Sequence, residues 1–169
     1  MPLSRKARLF WPLAFLLLLT DCTTKELAVE RLTPAHVPHE VIGSAVRFTL
    51  NYNPHAALGI PLGPWTRPLL LGAGVAVLGV LLTLYRRVSD RDRAMAVALA
   101  FVTGGALGNL LDRASSTRGV VDFIDVGIGA TRFWTFNAAD VFLWTGAILL
   151  TGIHWRREAD DTGAGTTPS

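Results

Sequence analysis

Four long apolar segments constrain the fold of this chain more than any other feature of its sequence. They cover about residues 9–28, 68–85, 94–111 and 138–155. Each is close to the roughly 20 residues that a helix needs to cross the hydrocarbon core of a bilayer. Hydrophobic residues make up 50% of the chain and charged residues only 17%, a balance unusual for a water-soluble domain. The sequence therefore predicts an all-α membrane protein, a bundle of four transmembrane helices forming one domain over residues 1–157.

The positions of the basic residues predict the orientation of this bundle. Clusters of Arg and Lys occur at residues 5–8, 86–93 and 156–157, which fall on one side if all four segments span. Because short cytoplasmic segments carry an excess of Lys and Arg, both termini are expected in the cytoplasm. The longer connections, about residues 29–67 and 113–137, then face outward.

The outer connections contain two segments rich in β-forming residues, at 45–52 and 120–126. They predict short strands, and hence a small extracytoplasmic β-sheet, or cradle, resting on the bundle. Residues 158–169 are polar, with Gly, Thr and Pro, and predict a disordered cytoplasmic tail.

The first apolar segment also resembles a cleavable secretory signal, with Cys22 in the place of a lipid-modified residue. Asp21 argues against cleavage, because the residue before the cut should be small, and three further spans argue against a secreted product. We expect an uncleaved helix in which Cys22 is neither lipidated nor a nucleophile. The four histidines lack the spacing of metal ligands, so neither a metal nor another cofactor is predicted.

Asp122 and Asp140 are each embedded in apolar sequence, and Asp140 lies near the start of the fourth segment. Two neighbouring carboxyl groups cannot both ionise readily, so they can share a proton and activate water as general acid and base. The plainer interpretation is a solvated loop residue and a helix N-terminal charge. A small proton-coupled carrier using both as a relay is the alternative function. A relay, however, needs polar groups through the bilayer depth, and here they gather at the outer edge.

Other polar residues have structural interpretations beside functional ones. Asn137, three residues before Asp140, is expected to orient a carboxylate, to cap the helix, or both. Asp112 and Arg113 alone suggest an interfacial ion pair, although Arg113 lies on the helical face of Asn109 and could point toward the site. Asp21 and Lys25 alone suggest a salt bridge at a helix end, and Gly104 with Gly108 suggests close helix packing.

Taken in order, these pieces resemble the lipoprotein signal peptidase family, also called signal peptidase II. The chain matches five family motifs, at residues 21–25, 53–59, 104–113, 120–123 and 136–140. The similarity runs from about residue 8 to residue 155. His55 stands where the family usually has Gly, Leu58 where it usually has Phe, and the stretch from 113 to 120 is slightly longer than usual.

The resemblance implies an aspartic endopeptidase that removes signal peptides from diacylglyceryl-modified prolipoproteins, cutting just before the lipidated Cys. Asp122 and Asp140 would be the catalytic pair. The residues implied to bind substrate or support the pair are Asp21, Lys25, Asn53, Ala56, Gly108, Asn109, Arg113, Asn137 and Ala139. The implied setting is the bacterial inner membrane, with the site at the outer face. A monomer in contact with membrane lipids, and with no nucleic-acid partner, is expected.

Overall fold

The computed structural model describes residues 4–55, 63–129 and 131–164. Within these ranges the helices are α1 (Arg5–Arg31), α2 (Thr66–Arg87), α3 (Arg93–Ser115) and α4 (Ala138–Ala164). The strands are β1 (Pro38–Ile42), β2 (Val46–Asn53), β3 (Val120–Ile128) and β4 (Thr131–Arg132). Of the described helices, four are long and apolar enough to cross a membrane, in agreement with the predicted class of fold.

Each helix contains the predicted apolar segment and α1, α2 and α3 extend past it at both ends. Backbone hydrogen bonding continues from a formed helix into polar turns, whereas hydropathy marks only the part suited to lipid. The difference is largest in α4, which runs to Ala164 through part of the segment predicted to be disordered from residue 158. There Thr162 Oγ1 donates to the Glu158 carbonyl, and Glu158 pairs with His154 one turn earlier.

Helix α3 is the centre of the bundle, because it packs against α1, α2 and α4. Small residues make these close approaches possible. A Cβ on Gly104 would meet Leu17 of α1, and a Cβ on Gly105 would meet the Ala139 carbonyl of α4. The packing predicted for Gly104 is confirmed, since its missing side chain is where α1 lies.

The described strands form an antiparallel sheet in the order β1-β2-β3-β4. The two predicted strand segments are confirmed as β2 and β3. The short strands β1 and β4 were not predicted, because β1 is exposed along its whole length and β4 has two residues. Leu50 and Phe123 pack on Ala28 and Leu32 at the end of α1, so the sheet lies against one end of the bundle.

The opposite end of the bundle brings the basic segments together. Lys6 Nζ donates to the Tyr85 carbonyl at 3.1 Å, and Arg157 pairs with Asp92. The start of α1, the α2–α3 connection and the last turns of α4 therefore share one end, as the charge pattern predicted.

Candidate active site

Asp122 is the third residue of β3, and only 3% of its surface is exposed. Its Oδ1 accepts a hydrogen bond of 2.7 Å from Asn137 Nδ2. Its Oδ2 accepts one of 3.2 Å from Asn53 Nδ2. The antiparallel pairing of β2 with β3 brings Asn53 to this position. Sheet pairing and the start of α4 thus hold the carboxylate from both sides.

Asn137 fulfils both of the roles predicted for it. Its Oδ1 accepts the backbone N–H of Asp140 at 3.0 Å, and Asp140 Oδ2 accepts the backbone N–H of Asn137 at 3.2 Å. This reciprocal pattern is a capping box, which satisfies N–H groups at the helix start. The same side chain donates to Asp122, so a single amide connects the two aspartates.

Asn109 of α3 completes the connection. Its Nδ2 donates to Asp140 Oδ1 at 2.8 Å, and its Oδ1 accepts from Asn137 Nδ2 at 3.1 Å and from Lys25 Nζ at 3.0 Å. The contact from Lys25 leaves the amide oxygen facing α1 and its N–H groups available to Asp140. Both aspartates are therefore fixed by amides from different elements of the fold.

The electrostatic setting of Asp122 favours its neutral form. Burial raises the pKa of Asp122 to about 7, and the negative charge of Asp140 acts in the same direction. Hydrogen bonds from Asn53 and Asn137 oppose the shift without cancelling it. A carboxyl group that keeps its proton near neutral pH beside a second carboxylate can supply an acid and a base together.

Arg113 lies beside this pair, as predicted. Its guanidinium donates to the Asn109 carbonyl at 3.0 Å, and its side chain lines the groove described below. Among the described residues, its Nε is buried without an acceptor. Arg113 therefore places a positive charge near both aspartates, and its Nε–H is a donor that a substrate could use.

Asp21 and Lys25 form an ion pair of 2.7 Å, but the predicted location at a helix end is wrong. Asp21 has no exposed surface, and α1 continues to Arg31.

The interpretation of Asp112 and Arg113 as partners is also wrong, since Asp112 Oδ2 pairs with Lys25 Nζ at 2.9 Å. Asp112 lies three residues after Asn109, so its place on the same helical face could have indicated a role near the site.

Two of the small residues named from the sequence make room for this cluster. A Cβ on Gly108 would collide with the Asp21 carboxylate. Ala139 is fully buried, and its backbone N–H donates to Asp21 Oδ1 at 2.8 Å. Ala56 and Leu58, also named from the sequence, lie outside the described residues.

A groove of about 970 Å³ opens onto the paired aspartates. Its polar part includes Asn53, His55, Asn109 and Arg113. Its apolar wall was not identified from the sequence and consists of Phe133, Trp134, Phe136, Val141, Trp144 and Ile148. Trp134 and Trp144 are 74% and 72% exposed, so this wall faces out of the bundle. Hydropathy could not separate these residues from others that would merely face lipid.

The fold and this site define a multi-pass membrane protein with two amide-bound aspartates in an open groove. Solved structures share this architecture. One bacterial membrane enzyme, determined by the in meso method at 2.3 Å resolution, aligns with a TM-score of 0.78 and 29% identity over 88% of each chain. A second, at 1.9 Å, aligns with a TM-score of 0.72 and 31% identity over 82% of this chain and 87% of its own.

The family model for signal peptidase (SPase) II matches residues 13–156, and the chain belongs to this family of proteases. A lipoprotein signal peptidase of Mycolicibacterium smegmatis is 39% identical over 89% of this chain and 62% of its own length. One of Ectopseudomonas mendocina is 38% identical over 87% of this chain and 88% of its own. One of Coxiella burnetii is 36% identical over 87% and 91%. The chain thus spans less than two thirds of the first of these relatives and most of the other two.

Proposed function

We propose that this protein removes signal peptides from prolipoproteins, as the names of its relatives describe. The proposed substrate carries a diacylglyceryl group on the Cys that follows the cleaved bond. Asp122 and Asp140 are the proposed catalytic pair. The supporting observation is that Asn137 binds both aspartates at the floor of one groove.

In the proposed reaction Asp122 holds the proton and Asp140 is ionised. Asp140 takes a proton from water, whose oxygen forms a bond to the scissile carbonyl carbon. Asp122 gives its proton to the carbonyl oxygen, producing a tetrahedral intermediate. The C–N bond then breaks as Asp140 gives its proton to the leaving nitrogen and a hydroxyl of the intermediate returns a proton to Asp122. Burial of Asp122 supports this division of roles, because the less solvated carboxyl group loses its proton less readily.

The surrounding polar residues have proposed positioning roles. Asn53, Asn109 and Asn137 fix the carboxylates, and Arg113 stabilises negative charge that develops on them or on the carbonyl oxygen. Gly108 leaves space for Asp21, and Asp21 accepts the backbone N–H of Ala139, the residue before Asp140. The proposed active unit is a monomer.

The apolar wall of the groove is the proposed binding surface for the acyl chains. Phe133, Trp134 and Trp144 lie beside the aspartates and are exposed, as are residues on the lipid-facing sides of the helices. A lipid-anchored substrate would keep its chains in or against the bilayer while its peptide reaches the polar floor. Tryptophan is favoured at such membrane–water boundaries.

We infer that the sheet and the site face outward from the bacterial inner membrane. The basic residues at the opposite end of the bundle support this orientation through the positive-inside rule. The alternative of a proton-coupled carrier is not favoured. Among the described residues, the buried charged side chains are Asp21, Lys25, Asp122 and Asp125, and they lie near the sheet and not through the bundle.

The substrate assignment is tested with purified protein in detergent and a synthetic prolipoprotein peptide. One sample of the peptide carries diacylglycerol on its Cys, and a matched sample carries the free thiol. Product masses should show one cut immediately before the lipidated Cys and little cleavage of the unmodified peptide. Equal cleavage of both peptides would contradict the proposed lipid recognition, and a cut elsewhere would contradict the proposed substrate.

A further inference from the structure

We propose that Lys25 is the positioning residue that fixes Asp122 and Asp140 relative to each other. This inference rests on the proposed function of the pair and extends it to a group that does not line the groove. Lys25 is 3% exposed, within a helix suited to cross a membrane. A buried ammonium is costly unless its charge and its hydrogen-bond donors are matched.

In the described part of the chain, two carboxylates and one amide oxygen surround the Lys25 ammonium. Its Nζ lies 2.7 Å from Asp21 Oδ2, 2.9 Å from Asp112 Oδ2 and 3.0 Å from Asn109 Oδ1. The two carboxylates balance the charge of the ammonium, and Asn109 Oδ1 accepts one of its three N–H donors. The acceptors belong to α1 and α3, and the cation therefore joins these helices at the level of the site.

Each acceptor of Lys25 continues to one of the proposed catalytic residues. Asn109 Nδ2 donates to Asp140 Oδ1 at 2.8 Å. Asp21 Oδ1 accepts the backbone N–H of Ala139, the residue before Asp140, at 2.8 Å. These two connections hold the side chain and the backbone of Asp140.

The connection to Asp122 runs through Asp112. Its Oδ2, which pairs with Lys25, also accepts the backbone N–H of Val121 at 3.0 Å. Val121 precedes Asp122 in β3, just as Ala139 precedes Asp140 in α4. In both places the backbone N–H of the preceding residue donates to a carboxylate that pairs with Lys25. A network of this kind has discrete hydrogen-bond partners, and loss of its central cation should loosen both ends.

Lys25 also contributes positive charge that counteracts the raised pKa of Asp122. Among the described residues, the charged and titratable groups near the pair are Asp21 and Lys25 on α1, Asp112 and Arg113 on α3, Tyr52 on β2 and His55 after it. Removing the ammonium alone should therefore move the pH at which Asp122 loses its proton upward. A lysine that stabilised the fold without acting on the pair would not change this property of the reaction.

The test compares Lys25→Met, Lys25→Arg and wild type with the lipidated peptide. For Lys25→Met, kcat should fall roughly 10- to 100-fold, because small misplacements of catalytic groups are costly, while KM stays near the wild-type value. The decline of kcat at high pH should move to higher pH. Lys25→Arg keeps the charge, so it should restore the pH profile, but its planar guanidinium should restore kcat only in part.

Lys6→Met is the matched control. Lys6 also donates to backbone carbonyls, including that of Tyr85, but at the opposite end of the bundle. Its loss should lower the melting temperature without changing kcat or the pH profile. If Lys25→Met does not fold, Asp112→Asn provides the second variant. It keeps an oxygen for Val121 but weakens the ion pair, and should lower kcat at unchanged KM.

An unchanged kcat and pH profile in Lys25→Met, or in Asp112→Asn if that variant must be used, would overturn the inference. A loss of kcat that only parallels a loss of melting temperature, with an unmoved pH profile, would also overturn it. Asp122→Asn and Asp140→Asn are measured alongside. If either remains active, the proposed catalytic pair is wrong. If both are inactive while Lys25→Met resembles wild type, only the positioning role is wrong.

Discussion

Asp122 and Asp125 lie three positions apart on β3 and are both buried, yet their carboxyl groups have opposite properties. Burial would raise the pKa of Asp125, but ion pairs and hydrogen bonds from Arg132 and Arg47 hold it below its usual range. Asp122 accepts hydrogen bonds from neutral amides and faces another carboxylate, so burial dominates and its pKa rises. The arginine partners keep Asp125 ionised, whereas burial beside a second carboxylate lets Asp122 hold a proton near neutral pH.

The rate of processing should therefore depend on pH around neutrality. Below about 7 Asp122 is protonated and can donate, and above it the proton is lost, so kcat should fall as the pH rises through this value. Because the folded protein keeps a proton that the unfolded chain releases, the free energy of unfolding should fall as the pH rises from 3.8 to about 7. A pH series of kcat and melting temperature measures both. A kcat that keeps increasing above neutral pH would contradict the assignment.

Two substitutions of Asn137 should separate its two contacts. Ser can still cap α4, whereas Ala cannot, so Asn137→Ser should be more stable than Asn137→Ala by about 1 kcal/mol. Both remove the 2.7 Å hydrogen bond to Asp122 and should lose most activity. Melting temperature and turnover are measured in the same detergent. If Ser restores turnover together with stability, Asn137 is a cap and nothing more.

Residues whose contacts are local were the most predictable ones. Asn137 and Asp140 lie three apart, and their capping pattern follows from that spacing. The pairing of Lys25 with Asp112 joins residues far apart in sequence. It depends on how deeply α1 and α3 overlap, which no local pattern specifies. From the sequence, Lys25 was therefore paired only with Asp21 on its own helix, and its pairing with Asp112 was missed.

At the level of elements, the helices were recognisable because lipid demands long apolar segments, while their polar extensions were not. Strands β2 and β3 were recognisable by their β-forming residues. Strand β1 is exposed throughout and depends on pairing with β2. The apolar wall of the groove also escaped prediction, since the aromatic residues of 133–136 and of α4 acquire their role only when the two segments lie side by side.

The approach of α3 to α1 gives a prediction at this scale. In Gly108→Ala the new methyl group would overlap the Asp21 carboxylate, which is held by Lys25 and Ala139 and cannot easily move. Both melting temperature and activity should fall. The matched control is Gly79→Ala in α2, where no atom lies within 4 Å of the new Cβ. It should be neutral or stabilising by up to about 1 kcal/mol. Equal behaviour of the two variants would contradict the described packing.

At the scale of the whole molecule, the two ends of the bundle carry different residues. One end carries the sheet, the groove and the buried charges, and the other carries the exposed Arg and Lys clusters. This asymmetry predicts the topology in a living cell. A reporter that is active only outside the cytoplasm should be active when inserted near Pro38 and silent when fused after Arg157. The reverse pattern would contradict the proposed orientation.

The central claim is that Asp122 and Asp140 act as one catalytic pair. The most direct test measures cleavage of the lipidated prolipoprotein by wild type, Asp122→Asn, Asp140→Asn and Asp125→Asn, with melting temperature recorded for each. Asp125→Asn is the matched control, because it changes a buried carboxylate on the same strand that is held by arginines. Both pair variants should fold and lose activity by several orders of magnitude, as groups that act as a unit do. Asp125→Asn should melt at a lower temperature but still cleave. Near-normal turnover by either pair variant would show that Asp122 and Asp140 are not a catalytic pair.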